Sequence, residues 1–385
     1  MQNLTRLTKK IYNSWIKSQA PTKKLTKLKK LDKYLILLVC IIFSMITSFE
    51  LVTKPIHNLN FILSIIINFF EILICCLVLV YISKKEDPTI NSRQIFLLII
   101  LLLIVQVLKI NFKTISALPI IVPPTLILSQ GMGTITALSW VSIALINWPN
   151  SPIVINEYLL LITFVASCIV AIFGGKIRSR AQLLQVSILV PLGAFIAQCL
   201  FLGIDNNDLY NLNLQNLILE RGNIISDSFL LATLMLLAII LMPILESIFG
   251  LVTKARLLEL ADQEKPLLRR LSVEAPGTFE HTLLLCGLAE EATRMIGGNV
   301  DLVRTGALYH DIGKLHAPDW FIENQNGKKN PHDELDNPLE SARILQDHVD
   351  KGIQIAKRYR LPTPVTNFIP EHQGTLKMGY FLFKA

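Results

Sequence analysis

Histidine and acidic side chains that can bind a metal cluster in the last third of this 385-residue chain. Six of the seven histidines lie beyond residue 280, and His310 is followed directly by Asp311. The other five in this region are His281, His316, His332, His348 and His372. Imidazole and carboxylate groups are the usual ligands of borderline divalent metals. The pattern predicts a metal-dependent enzyme site in this part of the chain.

The His-Asp pair lies in the run Tyr309-His310-Asp311-Ile312-Gly313-Lys314. Adjacent residues near a helix end diverge by about 100° around the helix axis, so they can reach one metal from two directions or let the carboxylate bridge two metals. Two divalent ions suit phosphoester hydrolysis, because they activate water and offset charge on the phosphate. Lys314 follows one turn after His310 and can steady a phosphate or a leaving group. We predict that Asp311 and Lys314 are catalytic.

Two other histidines are expected to have structural roles. His316 is predicted to be solvated, since it lies in a turn that leads toward Pro318. His332, in the run Asn330-Pro331-His332-Asp333, is predicted to hold its loop by hydrogen bonds, with metal ligation as the alternative.

The chain as a whole is too apolar for one soluble globule, with 52% hydrophobic residues and a mean hydropathy of +0.49. A membrane-spanning helix needs about 20 mostly apolar residues, and we count about eight candidates. Prolines in the fourth candidate and glycines after it predict that the fourth and fifth form a broken or re-entrant segment. The candidates lie near residues 34–53, 61–82, 95–110, 116–130, 133–148, 158–175, 184–204 and 227–250. We therefore predict a polytopic helical membrane domain over residues 34–250.

Positive charge is concentrated in residues 1–33, which hold ten Lys/Arg and one Asp. A basic tail beside a membrane span is attracted to anionic lipid and stays inside, so we predict a cytoplasmic tail. An even number of spans would place the His-rich half in the cytoplasm as well, on a multi-pass protein of the inner or plasma membrane. Nucleic-acid binding is the alternative for this tail, but no nucleic-acid-binding motif supports it and no nucleic-acid polymer is expected.

Transport is the alternative function for the membrane half. Glu71 falls in the middle of a predicted span, and intramembrane carboxylates are often functional. We favour anchoring or sensing, because the sequence has no convincing internal repeat or paired broken helices of the kind found in transporters.

The soluble half is expected to be helical throughout. Residues 251–275 are predicted to form a helical connector, with a second short helix that starts at Pro266. Thr278 is a candidate N-cap for an amphipathic helix over residues 280–296. Further helices are predicted over 301–310, near 339–359 and near 363–372, with a loop over 317–338. The amphipathic helix carries one apolar stripe, formed by Leu284, Leu288, Ala292 and Met295.

These motifs resemble those of the membrane-anchored, seven-transmembrane HD-domain (HDIG) phosphohydrolases that degrade cyclic di-AMP. The resemblance covers most of residues 244–385 and implies an all-α HD domain over residues 276–385. It also implies a membrane-anchored phosphodiesterase that converts cyclic di-AMP to pApA with a metal-activated water. Its sharpest segments are Leu258–Asp262, Glu274–His281, Tyr309–Lys314, Phe321–Gln325, Asn330–Asp333 and His372–Thr375.

The resemblance also implies the metal ligands. Carried over by position, His281, His310 and Asp311 would hold the first of two divalent ions, manganese or iron. Asp311 would bridge to the second ion, which His348 and His372 would hold. The implied partners are a cyclic dinucleotide substrate and the lipid bilayer. The oligomeric state, including a homo-oligomer, is left open.

The chain departs from the family pattern in three respects. Gln373 stands where the family has the second of two adjacent histidines, and the chain ends at Ala385, before the final metal-binding aspartate of the family. The large extracytoplasmic domain of many relatives is also absent between the first two spans. We therefore expect a C-terminally incomplete HD domain. Its metal binding should be weaker, because fewer ligands hold the ions. The alternative function is therefore a catalytically impaired HD-domain protein that binds nucleotide or senses a signal.

Overall fold

A computed structural model describes residues 41, 44, 61–87, 90–111, 115–146, 148, 157–205, 214–325, 327–335 and 337–373. Within these ranges the chain is helical and no strand occurs, so the predicted all-α fold class is confirmed. The predicted basic tail, nearly all of the first candidate span and residues 374–385 lie outside the described residues.

Seven described helices precede the soluble half, and eight more follow. The first group comprises α1 (Phe61–Glu86), α2 (Ser92–Asn111), α3 (Ala117–Met132), α4 (Thr134–Ile146), α5 (Glu157–Gly174), α6 (Arg180–Asp205) and α7 (Leu214–Phe249). The second comprises α8 (Lys254–Leu260), α9 (Pro266–Glu274), α10 (Pro276–Met295), α11 (Val300–Tyr309), α12 (Pro331–Leu335), α13 (Pro338–Arg358), α14 (Thr363–Thr366) and α15 (Phe368–His372).

The described residues divide into two compact units. One draws on Met1–Ala171 and Pro191–Leu234, and the other on Ile172–Val190 and Met235–Ala385. The domain boundaries proposed from the sequence stay predictions.

The apolar helices are of two lengths. Among the described residues, three helices are long and apolar enough to cross a membrane: Ser92–Lys109, Arg180–Phe201 and Asn223–Phe249. Ala117–Met132, Thr134–Ile146 and Tyr158–Gly174 are shorter apolar helices. The count of about eight spans stays a prediction, since the first candidate lies outside the described part.

The break between α3 and α4 matches the predicted broken segment. Gly133 separates the two helices with a φ of 97°, a conformation that side chains disfavour. The Glu86 carboxylate accepts hydrogen bonds from the backbone N–H groups of Ile135, at 3.1 Å, and Thr136, at 2.6 Å. These groups have no partner within the first turn of α4, so Glu86 satisfies them and places negative charge at the positive end of the helix.

Replacing Glu86 with alanine should lower the stability of the first unit by about 1–2 kcal/mol, because α4 loses its capping carboxylate. The measurement is the thermal unfolding midpoint of the purified protein in detergent. Lys85→Ala is the matched control, since Lys85 is the exposed neighbour of Glu86 on α1. A Glu86→Ala midpoint equal to that of the control would contradict the capping role.

In the second unit, the guanidinium of Arg180 joins two carboxylates. Its Nε lies 2.9 Å from Glu259 on α8, and its Nη2 lies 3.3 Å from Glu246 near the end of α7. The hydroxyl of Thr253 donates to Glu246 at 2.6 Å and accepts from the backbone N–H of Arg256, which caps α8. The first turn of α8 is thereby held against the end of α7 by charge-assisted hydrogen bonds.

Helix α8 in turn fixes α11. The hydroxyl of Thr305 donates to the carbonyl of Leu257 at 3.1 Å, and the buried hydroxyl of Tyr309 donates to the carbonyl of Leu260 at 2.8 Å. The apolar core around these contacts includes residues of α8, α9, α10, α11 and α13. Helix α11, which ends directly before His310, is therefore bonded to α8 at the start and at the end of its last turn.

Helix α10 confirms the helix predicted over residues 280–296. The face that it buries, however, is not its apolar stripe. Leu284, Leu288 and Met295 are 75%, 72% and 82% exposed. The buried positions include Thr282 and Thr293, whose hydroxyls donate to the carbonyls of Phe279 and Ala289. A buried threonine costs little when its hydroxyl is bonded to its own helix. The same buried face carries Cys286, whose thiol contacts the carbonyl of Arg304 on α11.

Two local predictions for the soluble half were wrong. The N-cap of α10 is Ala275, because Pro276 begins the helix one turn earlier than expected. Thr278 instead lies within the first turn. Residues 317–338 are not one loop: they include the short 3₁₀ helices Pro318–Trp320 and Ile322–Asn324 and the helix α12. Pro318 and Pro331 start the first and the last of these three helices, since proline is favoured in a first turn.

Candidate metal centre

Four helices bring the predicted ligands to one place. His281 lies in α10, His348 in α13 and His372 at the end of α15. His310 and Asp311 directly follow the last residue of α11. Their ligand atoms form two groups, His281–His310–Asp311 and Asp311–His348–His372, with all atoms of a group within 4.8 Å of one another. All five metal-ligating residues predicted from the sequence therefore converge, and Asp311 belongs to both groups.

The carboxylate of Asp311 lies at the centre of the cluster, and each of its oxygens faces a different group. Oδ2 is 3.1 Å from Nε2 of His310, whereas Oδ1 is 3.3 Å from Nε2 of His372 and 3.7 Å from Nε2 of His348. Oδ1 is buried and has no hydrogen bond of normal geometry. A buried carboxylate oxygen left in this state is costly unless a cation lies close to it, so the geometry suits a metal ligand.

Backbone carbonyls orient three of the imidazoles. Nδ1 of His310 is 2.7 Å from the carbonyl of Ala307, and Nδ1 of His372 is 3.2 Å from that of Phe368. Nδ1 of His348 contacts the carbonyl of Leu345 in the same way. A carbonyl can only accept, so each Nδ1 donates its proton to the backbone and each Nε2 is turned toward the centre. Metal-binding histidines are typically oriented in this manner.

The distance between two of these Nε2 atoms tests whether a cation fits. Nε2 of His348 and Nε2 of His372 are 3.2 Å apart. Each of these histidines uses its Nδ1 on a backbone carbonyl, so one ion placed between the two Nε2 atoms would bind both. Two imidazole nitrogens that bind one ion at about 2.1 Å lie roughly 3 Å apart when they are adjacent ligands. The residues present therefore fit a divalent ion.

Burial and neighbouring charge set the ionisation of the site. Burial acts to raise the pKa of Asp311, but contacts with His310, His372 and Lys314 hold that pKa well below its usual range. Burial lowers the pKa of His348. Asp311 is therefore ionised and His348 neutral near pH 7, the forms in which both can ligate a metal.

Lys314 lies at the edge of the centre between two carboxylates. Its Nζ is 3.0 Å from Oδ2 of Asp311 and 2.6 Å from Oε1 of Glu323. Burial opposes the charge, but the two carboxylates raise the pKa of Lys314 above its ordinary value. Lys314 was predicted from its spacing, whereas Glu323 was missed as a partner. The acidic residue in Phe321–Gln325, a segment already prominent in the sequence, was the available signal.

A cavity of about 510 Å³ opens beside the five ligands. Its wall includes the Lys314 side chain, the ring of Phe321 and Gln373, the residue that departs from the family pattern. His316 and His332, the other two histidines of the soluble half, do not line this cavity. Nδ1 of His316 bonds the carbonyl of Gly313, and Nε2 of His332 lies 3.0 Å from the carbonyl of Trp320. The loop-holding role predicted for His332 is confirmed.

Comparison with protein families gives two matches. The family described as "7TM receptor with intracellular HD hydrolase" matches residues 62–253. The HD domain family matches residues 278–379, which include all five converging ligands. The first range contains, wholly or almost wholly, the seven described helices α1 to α7.

Curated relatives match parts of the chain. It is 53% identical over 149 residues to the uncharacterized protein slr0104 of Synechocystis sp., covering 39% of this chain and 18% of that protein. It is 43% identical over 150 residues to the cyclic-di-AMP phosphodiesterase PgpH of Listeria monocytogenes, covering 39% and 21%. It is 35% identical over 214 residues to PgpH of Bacillus subtilis, covering 56% and 29%. The chain thus spans less than a third of each of these relatives.

Solved structures of the PgpH HD domain from L. monocytogenes are also similar. One covers 31% of this chain and 58% of that chain, at 41% identity and a TM-score of 0.31. Another, in complex with cyclic di-AMP, covers 32% and 57% at the same identity and TM-score.

Proposed function

Because this chain belongs to the family of 7TM receptors with an intracellular HD hydrolase domain, we propose that it is a membrane-anchored, metal-dependent phosphodiesterase. We further propose cyclic di-AMP as the substrate and pApA as the product. The substrate follows from two relatives that carry the name cyclic-di-AMP phosphodiesterase and are 43% and 35% identical to this chain over the matched residues.

One observation supports the reaction class above all others. The carboxylate of Asp311 stands between two groups of imidazoles, and each of its oxygens faces a different group. A carboxylate shared by two sets of histidines is suited to a pair of divalent ions. We therefore propose that His281, His310 and Asp311 hold one ion, that Asp311, His348 and His372 hold a second, and that both ions are manganese or iron.

When bound, divalent ions at this centre would supply activation of water and neutralisation of charge on the phosphate. The chain's own residues would do the rest. Asp311 would orient both ligand groups about its two oxygens. Lys314 would present its ammonium to a non-bridging phosphate oxygen in the adjacent cavity. Phe321, buried beside Lys314, would restrict access of water to this side.

The membrane half would hold this centre at a lipid surface. The family match and the apolar helices make the chain a membrane protein. We propose that it is a multi-pass protein of the inner or plasma membrane with its HD domain in the cytoplasm, as the basic tail predicts. Cytoplasmic placement would give the centre access to a cyclic dinucleotide made inside the cell.

The test uses the full chain purified in detergent or nanodiscs, stripped of metal and supplied with Mn²⁺ or Fe²⁺. Cyclic di-AMP is added and the products are separated by chromatography. We expect pApA to accumulate only when metal is present. A parallel series with cyclic di-GMP and bis(p-nitrophenyl) phosphate separates a cyclic di-AMP enzyme from an HD hydrolase of other phosphodiesters.

Gln373 supports an alternative function, nucleotide binding or signal sensing without hydrolysis, which the same experiment tests. It lines the cavity at the position where the family has a histidine. An amide oxygen is a weaker ligand than imidazole for these metals. Binding of cyclic di-AMP by metal-loaded protein without any product would refute the phosphodiesterase and favour a nucleotide-binding or signal-sensing protein.

A further inference from the structure

A carboxylate outside the ligand set competes with Asp311 for the same ammonium. Nζ of Lys314 is 2.6 Å from Oε1 of Glu323 and 3.0 Å from Oδ2 of Asp311. The shorter contact is to Glu323, although Asp311 is the more deeply buried carboxylate, at 4% exposed against 26%. The position of Lys314 therefore depends on both acids.

The Glu323 carboxylate is itself held in place by α10. The hydroxyl of Thr278 donates to Oε1 of Glu323 at 3.0 Å and accepts from the side-chain amide of Asn324 at 2.9 Å. The amide oxygen of Asn324 in turn accepts from the backbone N–H of Thr278 at 3.1 Å. Thr278 is fully buried and Asn324 is 5% exposed, so this small network has little freedom to rearrange.

The backbone also fixes this contact. A Cβ added at Gly277 would lie 1.9 Å from the carbonyl oxygen of Glu323, so the segment around Glu323 touches the first turn of α10 directly. The same helix carries His281 one turn after Thr278. The ring of Phe321, 5.1 Å from Nζ, covers a further side of the ammonium. Lys314 is thus surrounded by fixed groups.

We propose that Glu323 is a positioning residue that draws the ammonium of Lys314 away from Asp311 and so keeps the Asp311 carboxylate available to divalent ions. The inference rests on the metal centre of the proposed function. Its physical basis is a competition: an ammonium and a metal ion both bind the same carboxylate oxygen. Without Glu323, Lys314 would have Asp311 as its remaining acidic partner in this cluster and would pair with it fully.

A double-mutant cycle tests this with Mn²⁺ alone as the probe. The affinity of the metal-stripped full chain for Mn²⁺ is measured by calorimetry for wild type, Glu323→Gln, Lys314→Met and the double variant. We expect Glu323→Gln to weaken Mn²⁺ binding about tenfold when Lys314 is present, and twofold or less in the Lys314→Met background. A merely structural or long-range electrostatic role of Glu323 would weaken binding equally in both backgrounds.

Two further variants complete the design. Glu264→Gln makes the same chemical change at an exposed carboxylate of the second unit and should leave Mn²⁺ affinity unchanged. Thr278→Val removes the hydroxyl that holds Glu323 without altering charge, and should weaken binding about threefold only when Lys314 is present. It serves as the test should Glu323→Gln fail to fold.

The outcomes separate this inference from the proposed function. Equal effects of Glu323→Gln in the two backgrounds, or no effect, would overturn the positioning role even if cyclic di-AMP is hydrolysed. A coupling of the expected size without hydrolysis would overturn only the proposed function. Failure of the wild type to bind either Mn²⁺ or Fe²⁺ would overturn both.

Discussion

Replacing Asp311 with asparagine is expected to weaken divalent-metal binding by at least about 100-fold and to abolish the proposed hydrolysis of cyclic di-AMP. Loss of a group that only supports a metal ligand commonly costs 10–100-fold in affinity, and Asp311 contacts both ligand groups directly. Asparagine keeps the size of the side chain but removes the negative charge and one acceptor oxygen. Calorimetry with Mn²⁺ and chromatography of the products measure the two effects separately.

The matched control is Asp350→Asn, which makes the same change at an exposed aspartate on α13. It should bind Mn²⁺ and turn over substrate as the wild type does. Wild-type metal affinity in Asp311→Asn would show that the two histidine groups bind metal without their shared carboxylate. That result would refute the bridging role on which the proposed reaction depends.

Gly313→Ala is expected to destabilise the second unit by at least about 3 kcal/mol. An added Cβ would lie 1.7 Å from the carbonyl oxygen of His348 and 2.7 Å from the backbone nitrogen of Gly352. Both atoms belong to the backbone of α13 and cannot move aside without displacing the helix, so the cost should exceed ordinary overpacking. The displacement would also separate His348 from Asp311, and Mn²⁺ affinity should fall together with the thermal unfolding midpoint.

Gly287→Ala provides the opposite control. Gly287 lies inside α10, and a Cβ there would meet no atom within 4 Å. Alanine reduces the freedom of the unfolded chain and favours helix, so this variant should be about 0.5–1 kcal/mol more stable than wild type. A Gly313→Ala protein as stable as the wild type would contradict the close contact between Gly313 and α13.

Local sequence signals predicted much of the secondary structure. Pro266 begins α9 as expected, and the helices predicted over 301–310 and near 339–359 occur as α11 and α13. Proline acts within one turn, because its fixed φ and missing N–H affect the nearest backbone groups. The glycine break after the fourth candidate span was predictable because the effect of glycine on the backbone is also local. The capping of α4 by Glu86, 47 residues before Gly133, was not predictable from nearby residues.

The metal ligands of the candidate site were predicted from the sequence, but the residues that hold Lys314 beside them were not. His310-Asp311 and the surrounding histidines are residue types with few other uses in such a pattern, and the family resemblance assigned them to one centre. Glu323 and Thr278 gave no comparable signal, since a glutamate in a polar segment is usually solvated. Only contacts between distant parts of the chain reveal that they hold Lys314.

By itself, the sequence determined that this protein has an apolar helical half and a His-rich helical half, because composition and periodicity are properties of the chain alone. The tertiary structure decided which face of α10 is buried, which histidine nitrogens face the centre and how the Lys314 ammonium is shared. Each of these depends on which groups from other elements lie within a few ångströms, and hydrogen bonds and ion pairs act only at that range. The leucine stripe of α10 is exposed for the same reason: neighbouring elements cover the face that carries Thr278, Thr282 and Cys286 instead.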